Sequence, residues 1–239
     1  MWIWWSISIY PRFANICNGR WAWVPPDEDL PVPSLYDLFA AHPHLSQRKR
    51  RLFAVACCRR VFDSPFLDLA EQLADGLLDA TQREQAEEAA YLQYVTEQEL
   101  PLLEYSRERT MAARATLLTL AIGPFQALDA AAYARQSIAA PHGTAFLADA
   151  REEAEQCALF QEVMGPPCEV LPLWRAANDH AAENLARLIY EEKAWELLPV
   201  LADALEDAGC THEDMIIHLR DPGPHIRGCW ALDAVLGWL

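Results

Sequence analysis

Beyond Ser34, apolar residues recur three and four positions apart with charged and amide side chains between them, and that spacing predicts amphipathic helices. The pattern is sharpest in the last quarter of the chain. Ala182, Leu185, Leu188 and Ile189 form one stripe. Leu198, Leu201, Leu205 and Ala208 form a second, which Gly209 should end as a left-handed residue. Thr211 with Asp214 predicts a capping box for a third, carrying Met215, Ile216 and Leu219 and stopped by Asp221-Pro222-Gly223-Pro224. Leu232, Val235, Leu236 and Leu239 make a fourth after Gly228. Helices this short are marginal alone, so 182–239 is expected to be a four-helix subregion docked on the chain upstream.

The upstream signals are also helical. Ser34 caps a short helix through Ala41, and Ser46 opens a helix reaching Phe62, with basic ends and a small middle of Ala54, Ala56 and Cys57. The cations at 48–51 oppose the dipole of its first turn, which predicts that they answer acidic groups elsewhere. Pro65 starts the next helix, with Phe66, Leu69, Leu73 and Leu77 on one face and Gly76 loosening its end. Thr81-Gln-Arg-Glu84 reads as a capping box for a Glu-rich helix with Tyr91 and Tyr94 on an aromatic face. Pro101 restarts the pattern, which runs to Gly123-Pro124; helices at about 126–139 and 144–164 follow, then a connector from Cys168 to Asn178. No alternating run is long enough to predict a sheet. The expected fold is all-α: a layered array of about nine helices with no significant sheet, in one domain over 34–239.

Residues 1–33 read differently, as a Trp/Pro-rich extension. The segment from Met1 to Tyr10 is about half as long as a bilayer-spanning helix and has no preceding cation, so it fits neither a span nor a signal peptide. An interfacial anchor through Trp2, Trp4 and Trp5 would show a basic face that is missing here, so a strand or tail folded on the body, or a misassigned start, is preferred. Pro25, Pro26, Pro31 and Pro33, with acidic residues among them, predict an extended connector.

Charge narrows the classes of partner. The net charge is -16, and the imbalance lies in 61–239, with eleven Lys/Arg against thirty-one Asp/Glu. That body repels nucleic acid and anionic membrane, which favours neither as partner. Seven cysteines, an odd number with Cys57 and Cys58 adjacent, do not make an evenly paired disulfide framework, so reduced thiols and a cytoplasmic location are expected.

Several stretches carry a resemblance. Arg48-Lys-Arg-Arg-Leu-Phe-Ala-Val-Ala-Cys-Cys-Arg-Arg60, Leu73-Ala-Asp-Gly76, Leu185-Ala-Arg-Leu-Ile-Tyr190, Leu198 to Cys210 and Pro222 to Trp230 resemble a group of uncharacterised helical proteins of Planctomycetes, over roughly 45–239. Tyr190 to Gly209 is also similar to a short planctomycete repeat-companion module. The resemblance implies a helical fold and brings no activity.

Candidate chemistry clusters near the C-terminus. Cys210, His218, His225 and Cys229 are the densest potential zinc ligands, but without a Cys-x2-Cys pair the spacing predicts no metal or other cofactor, and Cys210 and Cys229 as packing residues. Zinc held by these four is the alternative. Cys229 after Gly228, with His225 four residues earlier, also raises a thiol nucleophile, although no orienting acid is visible. Arg48, Arg51, Arg59, Arg60 and Arg227 are candidate anion contacts, and a nucleic-acid surface through Arg48–Arg60 is a third possibility; pairing with the Glu-rich helices is favoured. Glu152, Glu153 and Glu155 read as a solvated face. The preferred function is a non-catalytic helical module that engages a protein partner.

Overall fold

Ser34 and Asp79 each hold the first turn of a helix by a reciprocal cap, Ser34 with Asp37 and Asp79 with Gln82. The second box lies two residues before the Thr81–Glu84 pair expected from sequence, because the Asp79 carboxylate accepts from the Gln82 amide at 2.8 Å. The computed structural model describes residues 12–16, 20–24, 34–101, 106–120, 126–138, 145–166, 170 and 172–238. The chain divides into two compact units, Met1–Pro33 and Ser34–Leu239.

In the first unit, β1 (Arg12–Ile16) and β2 (Arg20–Val24) form an antiparallel hairpin with Ala14 opposite Ala22. This two-stranded hairpin is the only sheet among the described residues, so the chain has no significant sheet, as expected. The Trp2, Trp4 and Trp5 segment and the Pro25–Pro33 connector lie outside the described residues.

The second unit is all-α among its described residues, with eleven α-helices where about nine were expected. They are α1 (Leu35–Ala41), α2 (Gln47–Arg59), α3 (Pro65–Ala74), α4 (Ala80–Gln98), α5 (Arg107–Leu120) and α6 (Gln126–Gln136). They continue with α7 (Ala145–Met164), α8 (Pro172–Glu192), α9 (Leu198–Asp207), α10 (Glu213–Arg220) and α11 (Trp230–Leu236). A 3-10 turn, Trp195–Leu197, precedes α9. Proline at the first position lets α8 begin at Pro172, inside the stretch read from sequence as a connector. Among the described residues no helix is long and apolar enough to cross a membrane.

Helix α2 sits at the centre of the packing, against α3, α5, α6 and α7. Its Phe53, Ala54 and Cys57 join one core with α1, α6 and α7, while Val55 and Cys58 join another with α3 to α6. Successive residues on a helix point about 100° apart, so the adjacent cysteines face different cores. A third core is built by α8 to α11, around Ile189, Leu201, Met215 and Leu232.

Three stripe assignments shift. The α3 helix stops at Ala74 through a left-handed Gly76, so Gly76 caps rather than loosens and Leu77 is left exposed. Tyr91 and Leu188 are exposed, and α4 buries Ala86 and Ala90 instead of its aromatic side.

Candidate metal centre

The C-terminal core places one short helix and one proline-bounded loop against the end of α7. His212 rather than Thr211 starts α10, with its Nδ1 accepting from the Met215 amide at 3.2 Å. At the other end, the Asp221 amide bonds Ile217 O and its carboxylate accepts from the Gly223 amide, which turns the chain back toward the helix it has just left. The α7 helix comes equally close. A Cβ at Gly165 would overlap the Trp230 indole, so only glycine lets the end of α7 lie against the start of α11. The same indole lies 5.0 Å from the His218 ring.

Four donor groups converge as a result: Glu162 from the last turn of α7, His218 from α10, His225 from the loop, and Cys229 at the N-cap of α11. Their ligand atoms all lie within 4.8 Å of one another. His225 Nδ1 is 3.0 Å from Glu162 Oε1, His218 Nε2 is 3.4 Å from Glu162 Oε2, and His218 Nε2 is 3.2 Å from Cys229 Sγ. A tetrahedral ion with bonds of about 2.0–2.3 Å sets its ligand atoms about 3.3–3.8 Å apart, so the cluster is close to the required size. The Glu162 and His225 side chains are 8% and 3% exposed, and Cys229 is fully buried.

The electrostatics follow from burial and from the mutual contacts of these groups. Burial alone would raise Glu162, but hydrogen bonds from His218 and His225, and their charge, hold it below its ordinary value as a buried carboxylate. Burial lowers His225, yet the bond and charge of Glu162 outweigh it and raise it overall. Burial pushes the Cys229 thiol well above its usual range, with the Glu162 charge adding to the effect. The His225 Nε2 lies 2.9 Å from Asp221 O and donates there, which directs Nδ1 at the cluster, as the outer hydrogen bond of a metal-ligating histidine does.

One nitrogen, His218 Nε2, faces both the thiol and the carboxylate. It carries at most one proton and donates to one of the two, while the thiol hydrogen-bonds to Glu162; a cation at the centre would contact all of these atoms together. The same geometry argues against a thiol nucleophile. His218 rather than His225 faces the sulfur, His225 being engaged with Glu162 and Asp221 O, and a fully buried sulfur offers no approach to substrate.

Three of the four sequence candidates therefore meet. Cys210 does not join them; it packs in the C-terminal core, where burial also raises its thiol. Glu162 was missed, because it comes from an alanine-rich helix far upstream. The available signal was its place among Leu159, Phe160 and Val163, all buried, where a solvated carboxylate is out of place.

The candidate anion contacts are engaged within the chain. Arg48 bonds Asp75, Asp233 and Tyr190, and Arg51 bonds Thr119 O. Arg59 pairs with Asp63, Asp68 and Glu71, and Arg60 with Glu152 and Glu155. Arg227 lies beside Glu71 and Asp75 and donates to Glu191 O. Glu152 is thus a buried partner of Arg60 rather than part of a solvated face. Cys57, Cys58, Cys157, Cys210 and Cys229 are buried, reduced thiols. No family model matches the chain, and no curated protein or solved structure matches it.

Proposed function

We propose that the chain is a non-catalytic helical module whose C-terminal helices are pinned to the body by one zinc ion held by Glu162, His218, His225 and Cys229. The observation that carries this is the convergence of a buried carboxylate, two imidazoles and a thiol on one point, with a single histidine nitrogen facing two of them. Two nitrogens, one sulfur and one oxygen in a four-fold set suit zinc better than magnesium or calcium, which take oxygen. Four protein ligands make a closed site, and closed sites are structural.

The wider setting supports a protein as the partner. The cations that could have met phosphates are consumed by internal carboxylates and carbonyls, while the chain keeps a net charge of -16. Buried reduced thiols favour a cytoplasmic setting.

Elemental analysis with native mass, before and after chelation, tests the zinc assignment. One zinc per chain is expected, retained in Cys210→Ala and lost in Cys229→Ala. A wild-type chain that holds no zinc, even after zinc is added, would contradict it and leave the cluster as hydrogen-bonded packing.

A further inference from the structure

Lys49 is a cation in the first turn of α2, opposed to the helix dipole, and it is only 7% exposed. A buried ammonium is costly unless every donor is used. Its Nζ donates to Gly228 O at 2.8 Å and to Val163 O at 2.9 Å, and pairs with Asp233 Oδ2 at 2.7 Å. That accounts for all three donors.

The two carbonyls belong to the neighbours of metal-site residues. Val163 follows Glu162 on α7, and Gly228 precedes Cys229 at the start of α11. One ammonium therefore ties together the two backbone segments that bring the carboxylate and the thiol to the cluster. Its charge is matched by Asp233, which is fully buried and also held by Arg48 at 2.7 and 3.2 Å, so the lysine adds little repulsion to a nearby cation.

We propose that Lys49 is a positioning residue of the metal site: it holds the Glu162 and Cys229 segments at coordination distance, and so sets metal affinity and the geometry of the bound ion. The assignment rests on the zinc site proposed above. Outer partners of metal ligands typically change metal affinity about ten- to a hundredfold when removed, and Lys49 acts in the same way one residue along the ligand-bearing backbone.

The test uses the full chain, with cobalt as a spectroscopic probe and zinc affinity from competition with a chromophoric chelator. Methionine is the replacement, since it keeps the length of the stem and leaves Asp233 paired with Arg48. A Leu67→Ala chain, altered in the α2–α6 core away from the site, controls for lost stability. Wild type should bind one cobalt with tetrahedral d–d absorption and a thiolate charge-transfer band. Lys49→Met should bind zinc about ten- to a hundredfold more weakly, with a weakened charge-transfer band, while Leu67→Ala keeps the wild-type affinity and spectrum. An unchanged Lys49→Met, or a Leu67→Ala with the same loss, overturns the proposal. Should Lys49→Met not fold, Lys49→Arg replaces it: a planar fork cannot aim three donors at these acceptors, so a wild-type cobalt spectrum there also overturns the proposal. A wild-type chain that binds no cobalt sinks the metal site itself, and the role of Lys49 with it.

Discussion

Gly209 isolates a backbone effect. It has φ +84°, its amide bonds Glu206 O at 2.8 Å, and the next amide, Cys210, bonds Leu205 O at 2.8 Å, which is the paired arrangement that closes a helix on a left-handed residue. A Cβ there would meet nothing within 4 Å, so a substitution changes conformation without changing packing. Gly209→Val should lose about 1–2 kcal/mol in urea denaturation, and Gly209→Asn distinctly less, since asparagine tolerates this conformation. Equal, negligible losses would contradict the assigned helix end. This residue was legible because glycine after an apolar stripe reports a local backbone requirement. Glu162 was not, because its role depends on His218 and His225, which only the fold brings near.

At the scale of elements, the apolar stripes placed the helices more reliably than the faces those helices bury. The α4 stripe pointed to Tyr91, yet α4 packs on α5 and α3 through small residues, and close approach by alanine leaves the larger ring outside. The caps shifted by one or two residues for a similar reason: Thr81 and Asp79, or Thr211 and His212, are rival acceptors, and the backbone geometry at the turn chooses between them. The hairpin β1–β2 was missed although Asn18-Gly19, a common hairpin dipeptide, lies between two apolar stretches. The site itself is an assembly of elements. Helix α10 and the loop from Asp221 to Gly228 supply both histidines, while α7 belongs largely to a different core. Removing the ion should therefore loosen α10 and that loop first. Hydrogen exchange after chelation should rise there and stay near its original level in α2 and α6; uniform protection before and after would argue that no ion bridges them.

For the whole molecule, the buried charges run from one core to another. Lys49 and Arg48 share Asp233, Arg48 reaches Asp75 and Tyr190, and Arg227 lies over the Tyr190 ring, 4.8 Å from its centroid. Such a network is costly to break at one member, because the partner is left buried and unpaired. It is where the basic run of α2 finds the acidic groups that its position demanded, although sequence could not say which ones. The proposed metal site, Glu162, His218, His225 and Cys229, lies beside this network and is linked to it by Lys49 through Val163 and Gly228. The C-terminal core is thus held to the body by an ion-pair network and, on the proposal made here, by one coordinated ion.

X-ray absorption at the zinc edge of the purified chain tests the proposed ligand set most directly, because it reads the atoms around the ion. The expected result is a four-coordinate zinc with one sulfur at about 2.3 Å and three nitrogen or oxygen atoms at about 2.0–2.1 Å. Two or more sulfurs, six light-atom neighbours, or no zinc in the protein would contradict it.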